Sequence, residues 1–169
     1  MEIEIVAAMS DNRVIGENGG LPWSMPADER FLRQHISGAY LLTGRKSFES
    51  NQGKTLFNNG RYVIITNQEA YYAGARGVIA HSVEAGIAKA QLAGADRLCV
   101  LGGGNIYEQA IHLADRLVLS EIHTEIEAGD AFFPEVDRHI WEEYAREDHP
   151  ADEDNPYPYS FVFYQRRAQ

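Results

Sequence analysis

Three groups of residues have types and spacing that could do chemistry. The first centres on Asp28, which ends the run Gly16-Glu17-Asn18-Gly19-Gly20-Leu21-Pro22-Trp23-Ser24-Met25-Pro26-Ala27-Asp28. A carboxylate at this point sits in the first turn of a helical pattern, where the helix dipole favours an acid in any protein. Trp23, Ser120 and Tyr107 are candidate neighbours. The second group, Gly44-Arg45-Lys46-Ser47, lies at a strand-to-helix junction. Free backbone N–H groups beside two cations suit a phosphate there, although a solvated basic pair at a helix start reads the same way. It is not a Walker loop, because no G-x-x-x-x-G-K-[ST] is present. The third, Leu101-Gly102-Gly103-Gly104-Asn105, lets a ligand approach the backbone closely, or simply makes a tight turn.

Other chemistries have weaker support. The single cysteine, Cys99, lies in the apolar run Arg97-Leu98-Cys99-Val100-Leu101 and is expected to be a buried small hydrophobe. The 6 histidines show no H-x-x-x-H or E-x-x-H spacing, so no metal is expected. Glu121, His123 and Glu125, at period two, read as a solvated strand face.

The elements that must position these groups follow from hydropathy patterning. Strands are expected over Glu2 to Met9, Tyr40 to Thr43, Arg61 to Thr66, Val78 to His81, Arg97 to Leu101 and Arg116 to Ile122. Helices are expected from Ala27 to about His35, from a Ser82 cap to about Ala93, and after Gly102-Gly103-Gly104. Between the first strand and helix, Gly19-Gly20 and the brackets Pro22 and Pro26 predict a mobile flap on a stiff end. Asn51 to Gly60 reads as a loop. Trp141 to Glu147 and Tyr159 to Arg166 form an antiparallel terminal pair, joined by a solvated turn that carries Asp152-Glu153-Asp154. The alternation predicts a single three-layer α/β domain spanning 1–169. Its central eight-stranded sheet is mixed, mainly parallel, with an antiparallel C-terminal hairpin. Ligands of such sheets bind beyond the carboxyl ends of the strands, where all three groups collect.

Composition narrows the partners. With 169 residues, 44% of them hydrophobic, the chain can bury one substantial core. A net charge of -10 argues against nucleic acid and anionic membranes as partners. No leader or membrane span is read, so a cytoplasmic protein is expected.

Taken in order, Ala7-Ala8, Val14-Ile15-Gly16, Leu21-Pro22-Trp23, Pro26-Ala27-Asp28, Gly44 to Ser50, Gly102-Gly103-Gly104-Asn105-Ile106-Tyr107 and Gly129-Asp130-Ala131-Phe132-Phe133-Pro134 resemble the dihydrofolate reductases of bacteria. The resemblance covers the whole chain and implies NADPH-dependent reduction of 7,8-dihydrofolate to tetrahydrofolate. It implies that Asp28 accepts two parallel hydrogen bonds from the pterin, that Ser120 orients this carboxylate, and that Trp23 holds a water beside it. It implies too that Leu21 and the glycines before it form a lid over the nicotinamide. On the same resemblance Val6 and Ala8 would pack the pterin, with Leu101, Tyr107 and Ser120 nearby; Leu32, Leu56 and Phe57 would line the aminobenzoyl group, and Arg61 would take the glutamate α-carboxylate. For NADPH, Gly44, Arg45, Lys46, Ser47, Thr66 and Asn67 would hold the phosphates. Ala8, Ile15, Gly16, Leu101, Gly103, Gly104, Asn105, Ile106 and Tyr107 would pack the nicotinamide side. A cis Gly102-Gly103 bond is implied, as are antifolate inhibitors as ligands and a monomeric state.

The sequence departs from the family at Glu29, Leu32, Asn51-Gln52, the longer Phe57-Asn58-Asn59 loop and Asn105. These changes bear on the grip of the aminobenzoyl pocket and hence on antifolate sensitivity. Two rivals remain: a pyrimidine reductase of riboflavin synthesis, which lacks the Pro-Ala-Asp carboxylate, and a silent folate- or nucleotide-binding protein. Oxidation of NADPH in the presence of dihydrofolate separates the reductase from both.

Overall fold

The computed structural model describes residues 1–58 and 60–169. Six strands run parallel: β1 (Glu2–Ser10), β3 (Tyr40–Gly44), β4 (Tyr62–Ile65), β5 (Gly77–Ala80), β6 (Arg97–Val100) and β7 (Arg116–Ile122). Two more, β9 (Trp141–His149) and β10 (Tyr159–Arg166), are antiparallel. The sheet has eight strands in the order β5-β4-β3-β6-β1-β7-β10-β9, so strands from both ends of the chain share it. The helices are α1 (Pro26–Ile36), α2 (Arg45–Glu49), α3 (Gly53–Leu56), α4 (Val83–Leu92) and α5 (Gly104–Ala110).

β1 shows how the layers divide. Its side chains alternate between faces. Ile3, Ile5 and Ala7 enter the core shared with Val83, Ile87, Ile106 and Tyr107 of α4 and α5. Val6 enters the opposite core, with Ile36, Leu41, Ile64 and Val118, against which Phe31 and Leu32 of α1 pack. A third cluster, of Trp23, Met25, Ile122, Tyr159 and Phe161, joins the end of the flap to the C-terminal hairpin. Cys99 is fully buried, as its apolar run predicts. The Ser82 hydroxyl accepts from the Ala85 amide at 3.0 Å and caps α4.

Three local expectations change. The flap begins as a short strand, β2 (Val14–Gly16), paired with β8 (Ala131–Phe132). Asn18 and Gly19 both take positive φ, 50° and 80°, while Glu17 and Gly20 exchange hydrogen bonds of 2.9 and 3.0 Å. This is the tight hairpin that an Asn-Gly pair favours, a signal that the adjacent Gly19-Gly20 obscures. Within the expected loop Asn51 to Gly60 lies α3; Ser50 Oγ accepts from the Gly53 amide at 3.2 Å beside its start. The extra loop residue Asn59 lies outside the described residues. On the face expected to be solvated, His123 is held between Asp11 at 3.0 Å and Ser160 at 2.7 Å.

Candidate active site

Asp28 enters the site from the first turn of α1 and is 5% exposed. Pro26 starts the helix because its missing N–H costs nothing there, and the Asp28 and Glu29 amides both return to the Met25 carbonyl, at 3.0 and 3.1 Å. Burial pushes the Asp28 carboxyl up to about 6 from an ordinary 3.8. The hydroxyl of Ser120, itself buried on β7, opposes that rise, and the neighbouring charge of Glu29 adds to it. A carboxyl so placed exchanges a proton near neutral pH and can anchor a cationic or amidine-like ring.

Tyr107 of α5 approaches the same region through the sheet. Its hydroxyl donates to the Val6 carbonyl at 2.8 Å, and burial together with the Asp28 charge raises its pKa. Trp23 is buried beside Met25, and its Nε1 has no hydrogen-bond partner among the described residues. Asp28, Ser120, Val6 and Tyr107 are thus brought together from four separate segments of chain, with Trp23 just before Asp28 in the same stretch. Leu21 and Ala8 pack at the edge of the Trp23 cluster.

The glycine turns lie at the carboxyl ends of β3 and β6. The Gly44 amide donates to the Gly102 carbonyl at 2.8 Å and the Thr43 hydroxyl donates to it at 3.0 Å, tying the two turns together. The Gly102–Gly103 bond is cis, as the resemblance implies. Gly102 has φ +99°, which strains any side chain, and a Cβ there would come within 3.1 Å of the Tyr107 ring, which would have to give way. A Cβ on Gly103 would meet Ser47 Oγ at 3.3 Å, which leaves a shallow backbone cradle between the turns. Neither α2 nor α5 has a side-chain cap, so the first-turn amides of both helices are open to a ligand. Arg45 pairs with Glu49 at 3.0 Å, whereas Lys46 is exposed and makes no ion pair among the described residues. Ile15 of β2 lies beside Gly104, Gly16 abuts Ala131, and Ile106 packs within 3.1 Å of the Cβ position of Gly44.

At the neighbouring strand ends, Thr66 is buried and its hydroxyl accepts from the Gln68 amide at 3.1 Å, while Asn67 is exposed. His81, unremarked in the sequence, joins them: its Nδ1 donates to the Thr66 carbonyl at 2.7 Å. The signal for His81 is its place directly after a parallel strand, at the same sheet edge as Thr66.

A separate groove of about 650 Å³ opens at the far end of α1, lined by Arg33, Tyr40, Thr55, Leu56, Arg61 and Arg76 among others. Arg61 stacks over Tyr40 at 5.4 Å and donates to the Ala93 carbonyl at 3.0 Å. Leu56 lines this groove, but Leu32 and Phe57 do not: Leu32 packs on the α1-side core, and Phe57 is 6% exposed between Phe48 and Tyr62. Phe57 therefore backs the groove wall rather than facing a ligand. Arg33 and Arg76 were not anticipated, because their approach to Arg61 depends on how α1 and the 66–77 segment fold over β4.

A family model described as dihydrofolate reductase matches residues 2–166. The chain belongs to the dihydrofolate reductase family. It is 36% identical to the dihydrofolate reductase of Neisseria meningitidis, over 98% of this chain and 99% of that one. It is 34% identical to the enzyme of Bacillus subtilis, over 98% and 95%, and 36% identical to dihydrofolate reductase HdrB of Haloferax volcanii, over 96% and 82%. Its fold matches the Enterococcus faecalis dihydrofolate reductase solved with NADP(H) and RAB-propyl, with a TM-score of 0.85 at 29% identity, covering 99% and 97% of the two chains. No helix here is long and apolar enough to cross a membrane among the described residues.

Proposed function

We propose that this chain reduces 7,8-dihydrofolate to tetrahydrofolate with NADPH. The observation that carries this reading is the buried Asp28, raised by its burial to about 6 with the Ser120 hydroxyl opposing the rise, on a sheet whose other strand ends form an uncapped, glycine-lined cradle. NADPH fits that cradle: Gly103 admits close backbone approach beside Ser47, Lys46, Arg45 and Ser47 offer cations and a hydroxyl, and Thr66, Asn67 and His81 extend the line, while Gly104 packs against the Phe132 backbone. When bound, NADPH supplies a hydride.

The remaining work falls to the protein. Asp28 anchors the pterin with two parallel hydrogen bonds and, as a carboxyl that exchanges its proton near neutrality, favours the ring protonated at N5. Ser120 and Trp23 keep that carboxyl oriented. Leu21 and the Asn18-Gly19 hairpin form the lid that excludes water. This lid is secured by Asp130, whose carboxylate accepts from the Asn18 amide at 2.9 Å and whose own amide donates to the Gly16 carbonyl at 3.0 Å. Along α1, whose 11 residues rise about 16 Å, the aminobenzoyl group passes Leu56 and the glutamate α-carboxylate reaches Arg61. Antifolates would occupy the same groove. The reading includes a cytoplasmic, monomeric, single-domain protein with no nucleic-acid partner, supported by the net charge of -10.

The decisive test follows NADPH absorbance on addition of dihydrofolate. Oxidation that requires dihydrofolate, and that falls on the order of 10²-fold in Asp28→Asn at pH 7 with partial return in acid, supports the assignment. Binding of both ligands without turnover would replace it with the silent-binder reading.

A further inference from the structure

The hairpin connection between β9 and β10 holds one residue unlike its neighbours. Residues 151–154, 156 and 158 are exposed, yet Asn155 is 1% exposed. The Asp152 carboxylate Oδ1 accepts from the Asp154 amide at 2.9 Å, the Asn155 amide at 2.8 Å and the Asn155 side-chain Nδ2 at 3.0 Å. The Asp152 amide in turn donates to the Asn155 carbonyl at 2.9 Å. With Nδ2 committed to a carboxylate, the other end of the side-chain amide must present its oxygen. That oxygen, Oδ1, accepts from the Ala27 amide at 3.0 Å.

Ala27 is the residue before Asp28. In the first turn of α1, Pro26 has no N–H, and the Asp28 and Glu29 amides return to the Met25 carbonyl. Met25, at the N-cap position, contributes no side-chain cap. The cap comes instead from Asn155, 128 residues away. We propose that Asn155, set by Asp152, is a positioning residue for the reaction: it fixes the start of α1 and, through it, the direction of the Asp28 carboxylate. This rests on the role of Asp28 given above. The groups that face Asp28 are Ser120 from β7, Glu29 from α1 and Tyr107 from α5; Arg30 lies in the field of Asp152. An asparagine suits the position because an aspartate would carry a second negative charge to within one residue of Asp28.

The test compares Asn155→Ala, Asn155→Asp and the double exchange of Asp152→Asn with Asn155→Asp against the parent, using dihydrofolate and NADPH as the probes. Loss of a helix cap predicts a rise of about 3- to 30-fold in KM for dihydrofolate in Asn155→Ala, with the dissociation constant for NADPH unchanged. The double exchange restores the hydrogen-bond polarity: the amide introduced in place of Asp152 can donate to the carboxylate introduced in place of Asn155, and that carboxylate still accepts from the Ala27 N–H. It should therefore recover the dihydrofolate KM to within about threefold, while the charge it brings closer to Asp28 moves the alkaline limb of the hydride-transfer pH profile upward. Asn155→Asp alone sets two carboxylates against each other and should show the KM rise without the recovery. Equal weakening of both ligands in Asn155→Ala, in step with a fall in melting temperature and without recovery in the double exchange, overturns the proposal in favour of a purely structural turn. An unchanged KM and pH profile in Asn155→Ala overturns it too. Asp28→Asn measured alongside separates the two levels: a fully active Asp28→Asn removes the underlying reading, whereas an impaired Asp28→Asn with a silent Asn155→Ala removes only this one.

Discussion

Replacing Asp28 by asparagine should stabilise the ligand-free protein above neutral pH even as it removes activity. The folded carboxyl titrates at about 6 against an ordinary 3.8, with burial the leading cause. A raised value means that the folded state holds its proton more tightly than the unfolded chain. Stability from this group is therefore complete below 3.8 and is lost as pH rises through 6, after which it changes no further. The separation between the two values corresponds to about 3 kcal/mol, the cost of keeping a carboxylate in the site at pH 8. Asparagine has no charge to bury, so between about pH 4 and pH 8 its advantage over the parent should grow by ~2 kcal/mol. For a chain of this size that is roughly 4–8 °C in melting temperature. The assay is differential scanning calorimetry of both proteins in matched buffers across that range, without ligands. A Tm difference that stays constant with pH would refute the reasoning, because it would mean that the carboxyl is not destabilised by burial. Such a cost is tolerated because it is what makes the carboxyl able to exchange a proton under working conditions.

Three further outcomes follow from the site. Arg45→Gln should weaken NADPH more than NADH, shrinking the preference by ~10-fold for one charge-assisted contact; dissociation constants for both cofactors check this, and equal losses would place Arg45 on the pyrophosphate. Arg61→Leu should raise KM for dihydrofolate ~10- to 150-fold at this partly wet groove while leaving a simple dihydropterin almost unaffected; equal effects on both would return Arg61 to a surface role. Cys99, fully buried and with its thiol pushed up to about 12 by burial, should resist iodoacetamide in the native state and react only on unfolding, as mass spectrometry under increasing denaturant would record.

What the sequence determined by itself is what short-range patterning encodes. The parallel strands of the main sheet were legible, because short apolar runs between turn signals leave little alternative, and β10 was legible from its aromatic and β-branched residues. The α4 start at Ser82 and the α1 start near Pro26-Ala27 were legible too, since caps and prolines act within one turn. The family resemblance rests on motifs in register and pointed to Asp28, Ser120 and the glycine turn together. The strand order β5-β4-β3-β6-β1-β7-β10-β9 lies beyond such patterning: several neighbours in it are far apart in the chain, and pairing is decided by which faces can be buried together.

The tertiary structure alone decided how each group behaves. An aspartate in a first helical turn is ordinarily a solvated charge; here α1 lays it against β7 and the flap, and desolvation sets its titration. β2 and β8 are three and two residues long, too short for any pattern, and exist because residues 14–16 and 131–132 meet. The acidic Asp152-Glu153-Asp154 stretch has the composition of a solvated turn, and most of it is one. Its function lies in a single buried amide oxygen 3.0 Å from the Ala27 nitrogen. A partner 128 positions away leaves no trace in local periodicity, because hydropathy records how much of a residue is hidden and not what it meets there.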